Sequence, residues 1–173
     1  VTARAYGNYD TFETTLHFTV TKLPPQNVSF KEPGDQTATY GDSAFTNAAT
    51  NNTSGGGAIT YSSSDENVAT VDANGKVTIV GAGTATITAT AAAVEGYAET
   101  PASYTLTVNP KEITATATVQ DKTYDGTTAA EAAVTFDGLV SGESLTEDTD
   151  YTVEAVFADA DADTDKTVNV TIT

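Results

Sequence analysis

The amino-acid sequence predicts an all-β protein made of tandem β-sandwich modules, and three observations carry that expectation. Thr and Ala supply 35 and 27 of the 173 residues, while Cys, Met and Trp are absent. Small and β-branched side chains suit thin pleated layers better than helices. The apolar residues alternate with polar ones instead of recurring at helical period, and at 39% hydrophobic the chain is too apolar for a disordered acidic tail. Candidate strands then arrive about every 8 to 12 residues with Gly, Asn and Asp turns between them, which is sandwich spacing.

Taken in order, Val1-Thr-Ala-Arg-Ala and Leu16-His-Phe-Thr-Val20, with Gly7 and Tyr9 between, read as a hairpin. Leu23-Pro-Pro-Gln26 reads as a stiff linker. Ile59-Thr-Tyr-Ser and Asn67-Val-Ala-Thr-Val71 follow as strands. The turn Asp72-Ala-Asn-Gly-Lys76 opens Val77-Thr-Ile-Val80, and Gly81-Ala-Gly83 closes it. The clearest strand is Thr84-Ala-Thr-Ile-Thr-Ala-Thr90, with Ala85, Ile87 and Ala89 on one face and four threonines on the other. Tyr104-Thr-Leu-Thr-Val108 completes this part, and Asn109-Pro110 marks a boundary because proline cannot continue a ladder.

The first hairpin repeats later in the chain. Its two strands and its Gly and Tyr match Ile87-Thr-Ala-Thr-Ala, Gly96, Tyr97 and Tyr104-Thr-Leu-Thr-Val108, and Val20 and Val108 are 88 residues apart. That offset is about one immunoglobulin-like sandwich. Residues 1–22 therefore read as the last hairpin of a preceding module, 23–26 as linker, 27–108 as a complete module and 109–173 as a further β module. The last 63 residues, 111–173, are short for a closed sandwich, so the completeness of that module is left open. Ala129-Ala-Glu-Ala-Ala133 fits one helical turn or a strand of small residues equally well.

The run from Ile59 to Asp72, then Asn74-Gly-Lys-Val-Thr-Ile-Val-Gly-Ala-Gly-Thr-Ala-Thr-Ile-Thr-Ala89, resembles the bacterial immunoglobulin-like domain, group 2. Thr39-Tyr-Gly-Asp-Ser-Ala-Phe45 is similar to a segment found early in related repeats. Lys122-Thr-Tyr-Asp-Gly-Thr-Thr128, Gly138-Leu139, Gly142, Ala155-Val-Phe157 and Lys166-Thr-Val-Asn-Val170 resemble the YDG-type repeat of bacterial surface proteins. The resemblance implies a tandem array on an extracellular bacterial envelope protein, with no shared catalytic residues.

Charge and composition exclude several roles. Seven Lys and Arg against 24 Asp and Glu give −17, which disfavours nucleic acid, whose phosphates need clustered cations. Absence of Cys excludes disulfides, thiolate catalysis and thiolate metal sites. No stretch reaches the ~18 apolar residues of a membrane-spanning helix. Eleven of the acids lie between Glu131 and Asp165, where there is no Lys or Arg.

Candidate sites are few. The single histidine, His17, is expected to face solvent because Leu16, Phe18 and Val20 define the buried face of its strand. Asp159, Asp161, Asp163 and Asp165 alternate like the first half of a calcium loop, without the glycine at the sixth position or the acid at the twelfth. They read as a solvated hairpin tip, with a weak calcium site as the alternative; Asp35 or Asp42 near a linker is a lesser calcium candidate. No other cofactor is expected. A lysine–asparagine cross-link between Lys122 and Asn169 is disfavoured, because alternation in Val168-Asn-Val-Thr-Ile172 turns Asn169 outward. Tyr61, Tyr97 and Tyr124 read as strand packing, with sugar stacking as the alternative. Gly81-Ala-Gly83 leads into a strand and so cradles no phosphate.

The sequence thus predicts no enzyme but a spacer in a bacterial surface protein. An adhesin module binding host glycan or protein is the alternative, and a glycoside-active fragment a distant third. Its expected partners are neighbouring modules of the same chain. The chain is expected to be monomeric and not inserted in a membrane, with strand exchange between copies as a further hypothesis.

Overall fold

The computed structural model describes Thr15 and residues 17–173. The expected strand Val1-Thr-Ala-Arg-Ala and its connection to Thr14 lie outside the described residues, as does Leu16. Thirteen β-strands and no helix make up the described residues.

The first module is a two-layer immunoglobulin-like sandwich. One layer holds β1 (Val28–Phe30) paired with β4 (Ala49–Asn51), together with β3 (Phe45–Thr46), β7 (Lys76–Ile79) and β6 (Ala69–Val71) in the order β3-β7-β6. β3 and β4 are two halves of one run, broken at Asn47 and Ala48. The other layer has the order β2-β9-β8-β5, formed by β2 (Gln36–Thr39), β9 (Thr100–Asn109), β8 (Gly83–Ala91) and β5 (Ile59–Ser63). β2 runs parallel to β9, and β8 runs antiparallel to both β9 and β5.

Alternation places the core. Along β8 the residues Ala85, Ile87, Ala89 and Ala91 are buried while the threonines between them face outward, and along β9 Tyr104, Leu106 and Val108 are buried. They meet Phe30, Val68, Ala69 and Val77 from the opposite layer. Phe30 and Tyr104 cross edge-to-face at 4.8 Å, the arrangement favoured by the ring quadrupoles. Small Ala side chains in β8 let the layers approach closely, so Ile87 and Leu106 carry much of the packed volume.

Two buried polar side chains tie the layers' ends. Gln26, read from sequence as linker, is only 5% exposed. Its Nε2 donates to the carbonyls of Ala92 and Ala98 at 2.8 Å, and its Oε1 accepts from Asn51 Nδ2 and the Gly57 amide at 2.7 Å. Every hydrogen-bonding group of the side chain is thereby satisfied, as burial requires. Asn47 does the same at the strand break, accepting from the Glu32 amide at 2.8 Å and donating to the Glu32 carbonyl at 3.0 Å.

The second module consists of two hairpins, β10 (Thr114–Val119) with β11 (Ala132–Asp137) and β12 (Val153–Phe157) with β13 (Val168–Ile172). The Ala130 amide bonds the Ala155 carbonyl at 3.0 Å and the Phe157 amide bonds the Thr128 carbonyl at 2.8 Å, which joins them. Alternation turns Val134, Phe136, Val168, Val170 and Ile172 to one side of their hairpins, yet each is only half-buried. Among the described residues, all the fully buried hydrophobic side chains belong to the first module. The segment around Ala129–Ala133 is extended and enters β11, which settles the choice between helical turn and strand.

The expected strand Leu16-His-Phe-Thr-Val20 differs from the structure. Residues 17–20 form no ladder, and Phe18 and Val20 are 84% and 82% exposed instead of lining a buried face. A period-two pattern supplies a strand's chemistry but not its neighbours, and none of the described residues packs on this segment. His17 is exposed together with residues 18–20, so its exposure does not come from the expected alternation.

Two mutational outcomes follow from this packing. Leu106→Ala, at a site with no exposure, should cost about 2–5 kcal/mol in urea unfolding of the first module, whereas Val170→Ala should cost under about 1.5 kcal/mol. Gln26→Ala should cost about 1–3 kcal/mol, because it strands the Gly57 amide and the Asn51 side chain without their acceptor.

Candidate functional site at the module joint

The described residues carry two features with chemistry beyond packing: the contact between the modules and an acidic cleft in the second one.

The joint begins where β9 ends. The Tyr40 amide donates to the Asn109 carbonyl at 2.8 Å, so the turn after β2 sits against the last residue of β9. That turn is closed by the Asp42 carboxylate, which accepts from the Thr39 amide at 2.7 Å. Gly41 has φ +90°, and a Cβ there would lie 2.7 Å from Val140 Cγ2 and 3.7 Å from Lys111 Cδ. Glycine is required both by the backbone conformation and by the approach of Val140. The Tyr40 hydroxyl donates to the Glu143 carboxylate. That bond, and then the negative charge of Glu143, push the Tyr40 phenol above its ordinary value. The Glu143 amide bonds the Val140 carbonyl at 3.0 Å, so both contacts come from one tight turn of the second module.

The cleft, of about 620 Å³, lies between residues 119–127 on one side and the β12–β13 loop with the start of β13 on the other. Lys122 Nζ donates to Thr127 Oγ1 at 2.6 Å and to the Ala129 carbonyl at 2.8 Å, and pairs with Asp125 at 2.8 Å. The Lys122 ammonium, followed by the Thr127 amide and hydroxyl, holds Asp125 down at about 2. Tyr124 beside them is 67% exposed.

The four alternating aspartates lie along the rim. Asp159 pairs with Lys166, whose ammonium also donates to the Asp161 carbonyl at 2.6 Å. That cation pulls the Asp159 carboxyl below its ordinary value. Asp161, Asp163 and Asp165 are exposed, and Asp165 takes φ +55°. Among the described residues no three acidic or histidine side chains converge as a metal set would. Asp42 serves the turn at the joint, and Asp35 accepts from the Thr105 amide at 2.8 Å.

The other sequence candidates separate. Asn169 is on the outward face of β13 and Lys122 is held by Thr127, Ala129 and Asp125. Tyr61 packs on Phe30 at 6.4 Å, with its hydroxyl accepting from the Ala49 amide at 2.8 Å. Tyr97 is half-buried. Gly81 and Gly83 link β7 to β8. Sequence reasoning singled out the Tyr40-Gly41-Asp42 motif and Gly138 and Gly142, but not that the turns they mark touch.

Residues 43–93 match the family model of the intimin immunoglobulin-like domain, and residues 109–173 match that of the YDG domain. The comparison with curated proteins yields no match. The first match lies within the sandwich and the second covers the two hairpins, so each module is similar to one of these families, and neither family is catalytic.

Two pH responses follow. The Tyr40 phenol is raised in the folded state, so its contribution to the joint is full below its unfolded value of about 10 and is lost as pH rises through the higher folded value. An ultraviolet phenolate titration should show two late tyrosines, Tyr40 and the buried Tyr104, of which only Tyr40 moves down in Glu143→Gln. Asp125 is depressed, so its contribution to the Lys122–Thr127 turn is full above about pH 4 and is lost as pH falls through about 2. Carboxyl chemical shifts followed by NMR should show that low midpoint, and it should rise in Lys122→Met.

Proposed function

We propose that the chain is a non-catalytic spacer of a bacterial cell-surface protein, acting outside the cell, with its first module of the group 2 immunoglobulin-like kind. The observation that carries this reading is the joint. A linker of few residues, Pro110 among them, together with Tyr40, Gly41, Val140 and Glu143, fixes one module against the next. A spacer needs its modules held at a set angle, since a freely jointed chain of the same length spans less distance. The acidic surface adds self-repulsion that keeps such a rod soluble.

The chain has no cysteine, so single cysteines introduced for spin labels at exposed Thr70 and Thr171 report the inter-module distance cleanly. The expected result is a narrow distance distribution that broadens in the Tyr40→Phe, Glu143→Ala double variant. A distribution already broad in the parent chain would overturn the spacer reading.

A second reading rests on Tyr124. Its exposed ring beside a cleft of about 620 Å³ supports binding of a host glycan or protein. Under this reading a glycan and matrix-protein screen, run with calcium and then with chelator, gives a hit that Tyr124→Ala abolishes. Loss of that hit on chelation would assign calcium to Asp159, Asp161, Asp163 and Asp165.

A further inference from the structure

The turn that joins β6 to β7 holds the single Asn-Gly step of this sequence, Asn74-Gly75. That dipeptide is chemically labile, because glycine has no side chain to shield its amide nitrogen from the neighbouring asparagine. When the Gly75 nitrogen gives up its proton and attacks Asn74 Cγ, a C–N bond forms, the Cγ–Nδ2 bond breaks and ammonia leaves. Water then opens the cyclic imide at either carbonyl and leaves aspartate or isoaspartate.

The folded turn opposes that attack. The Gly75 amide is committed to the Asp72 carbonyl at 3.0 Å, and the Asp72 amide donates to the Lys76 carbonyl at 3.0 Å. The Asp72 carboxylate accepts from the Asn74 amide at 2.8 Å and from the Lys76 amide at 2.9 Å, which pins the backbone on both sides of the labile bond. Those amides, Lys76 first, hold the Asp72 carboxyl below its ordinary value, so it is an ionised and strong acceptor at neutral pH. Gly75 is buried while the Asn74 side chain is exposed. The nitrogen becomes free to turn on Asn74 Cγ only when the turn opens.

We propose that Asn74 is a deamidation site kept shut by Asp72, and that its conversion to isoaspartate loosens β3. Isoaspartate routes the main chain through Cβ and so adds one backbone carbon before Gly75. The turn has no room for that shift, since Gly75 has φ +74° and a Cβ there would lie 2.9 Å from Ala48 Cα and 3.2 Å from the Asn47 carbonyl oxygen. The Gly75 carbonyl also accepts from the Asn47 amide at 3.0 Å. β3 otherwise pairs with β7 over two residues, Phe45 with Val77 and Thr46 with Lys76. Displacing Gly75 therefore removes the bond that fixes the strand break, where the Asn47 side chain holds both backbone groups of Glu32. Ordinary aspartate at position 74 leaves the backbone path unchanged. The inference stands on the first module alone and does not depend on the spacer reading.

The full chain is aged in mildly alkaline buffer, folded and in urea, while mass spectrometry follows the peptide containing Asn74 and enzymatic carboxyl methylation reads isoaspartate. The folded parent should convert at Asn74 at least about tenfold more slowly than the parent in urea, and folded Asp72→Ala should convert at least about fivefold faster than the folded parent. In the isoaspartyl chain, exchange of the Asn47 amide should quicken by about tenfold, whereas Asn74→Asp should match the parent. The urea and Asn74→Asp comparisons decide the matter even where Asp72→Ala does not fold. A parent that converts as fast folded as in urea overturns the proposal. So does a folded Asp72→Ala that converts no faster than the parent, and so does an isoaspartyl chain whose Asn47 amide exchanges like that of Asn74→Asp.

Discussion

The first module depends on one strand being paired along both edges. β9 receives β8 in antiparallel register along its length and β2 in parallel register from Leu106 to Asn109, and Leu106 and Val108, paired on both edges, are sealed from water. Antiparallel hairpins alone could not do so, since a two-stranded ribbon leaves one face and two edges wet. The second module shows the contrast within the same chain. It has comparable alternation and comparable Val and Phe content, but only two hairpins, and none of its hydrophobic side chains is fully buried. Burial here is a property of how many strands surround a residue, and the residue's own hydrophobicity comes second.

The same parallel pairing sets up the joint. By ending beside Asn109, β2 delivers the Tyr40-Gly41 turn to the place where the chain leaves the module. The second module's turn at Val140 and Glu143 then docks on a glycine that admits no side chain. Intra-module topology and inter-module geometry are therefore one problem, solved by the same four residues of β2 and the turn that follows them.

Much of this was legible in the sequence, and the limits have physical reasons. β8 could be read directly, since seven residues of strict alternation leave one answer for which face is buried. β1 and β2 are short and contain Ser, Gln and Thr, so their strand character comes from the partners they meet and not from their own pattern. Gln26 was read as linker because it follows two prolines; its burial is decided by carbonyls more than sixty residues away. Leu16-His-Phe-Thr-Val20 shows the opposite failure, a strong local pattern without the neighbours that make a ladder. At the joint, the glycines announced turns, but no local signal says which turn of one module meets which turn of the next.

The parallel register of β2 and β9 has a consequence for tension. If the chain is pulled along its length, the pull reaches β2 from the side of Gln26 and leaves through Asn109 at the far end of β9. Two parallel neighbours drawn in opposite directions slide past each other, so their ladder bonds are strained together. An antiparallel hairpin loaded at its open end would instead peel, one bond at a time. The first module is thus built to yield abruptly and late, while the two hairpins that follow it have no such shear clamp among their strand pairs.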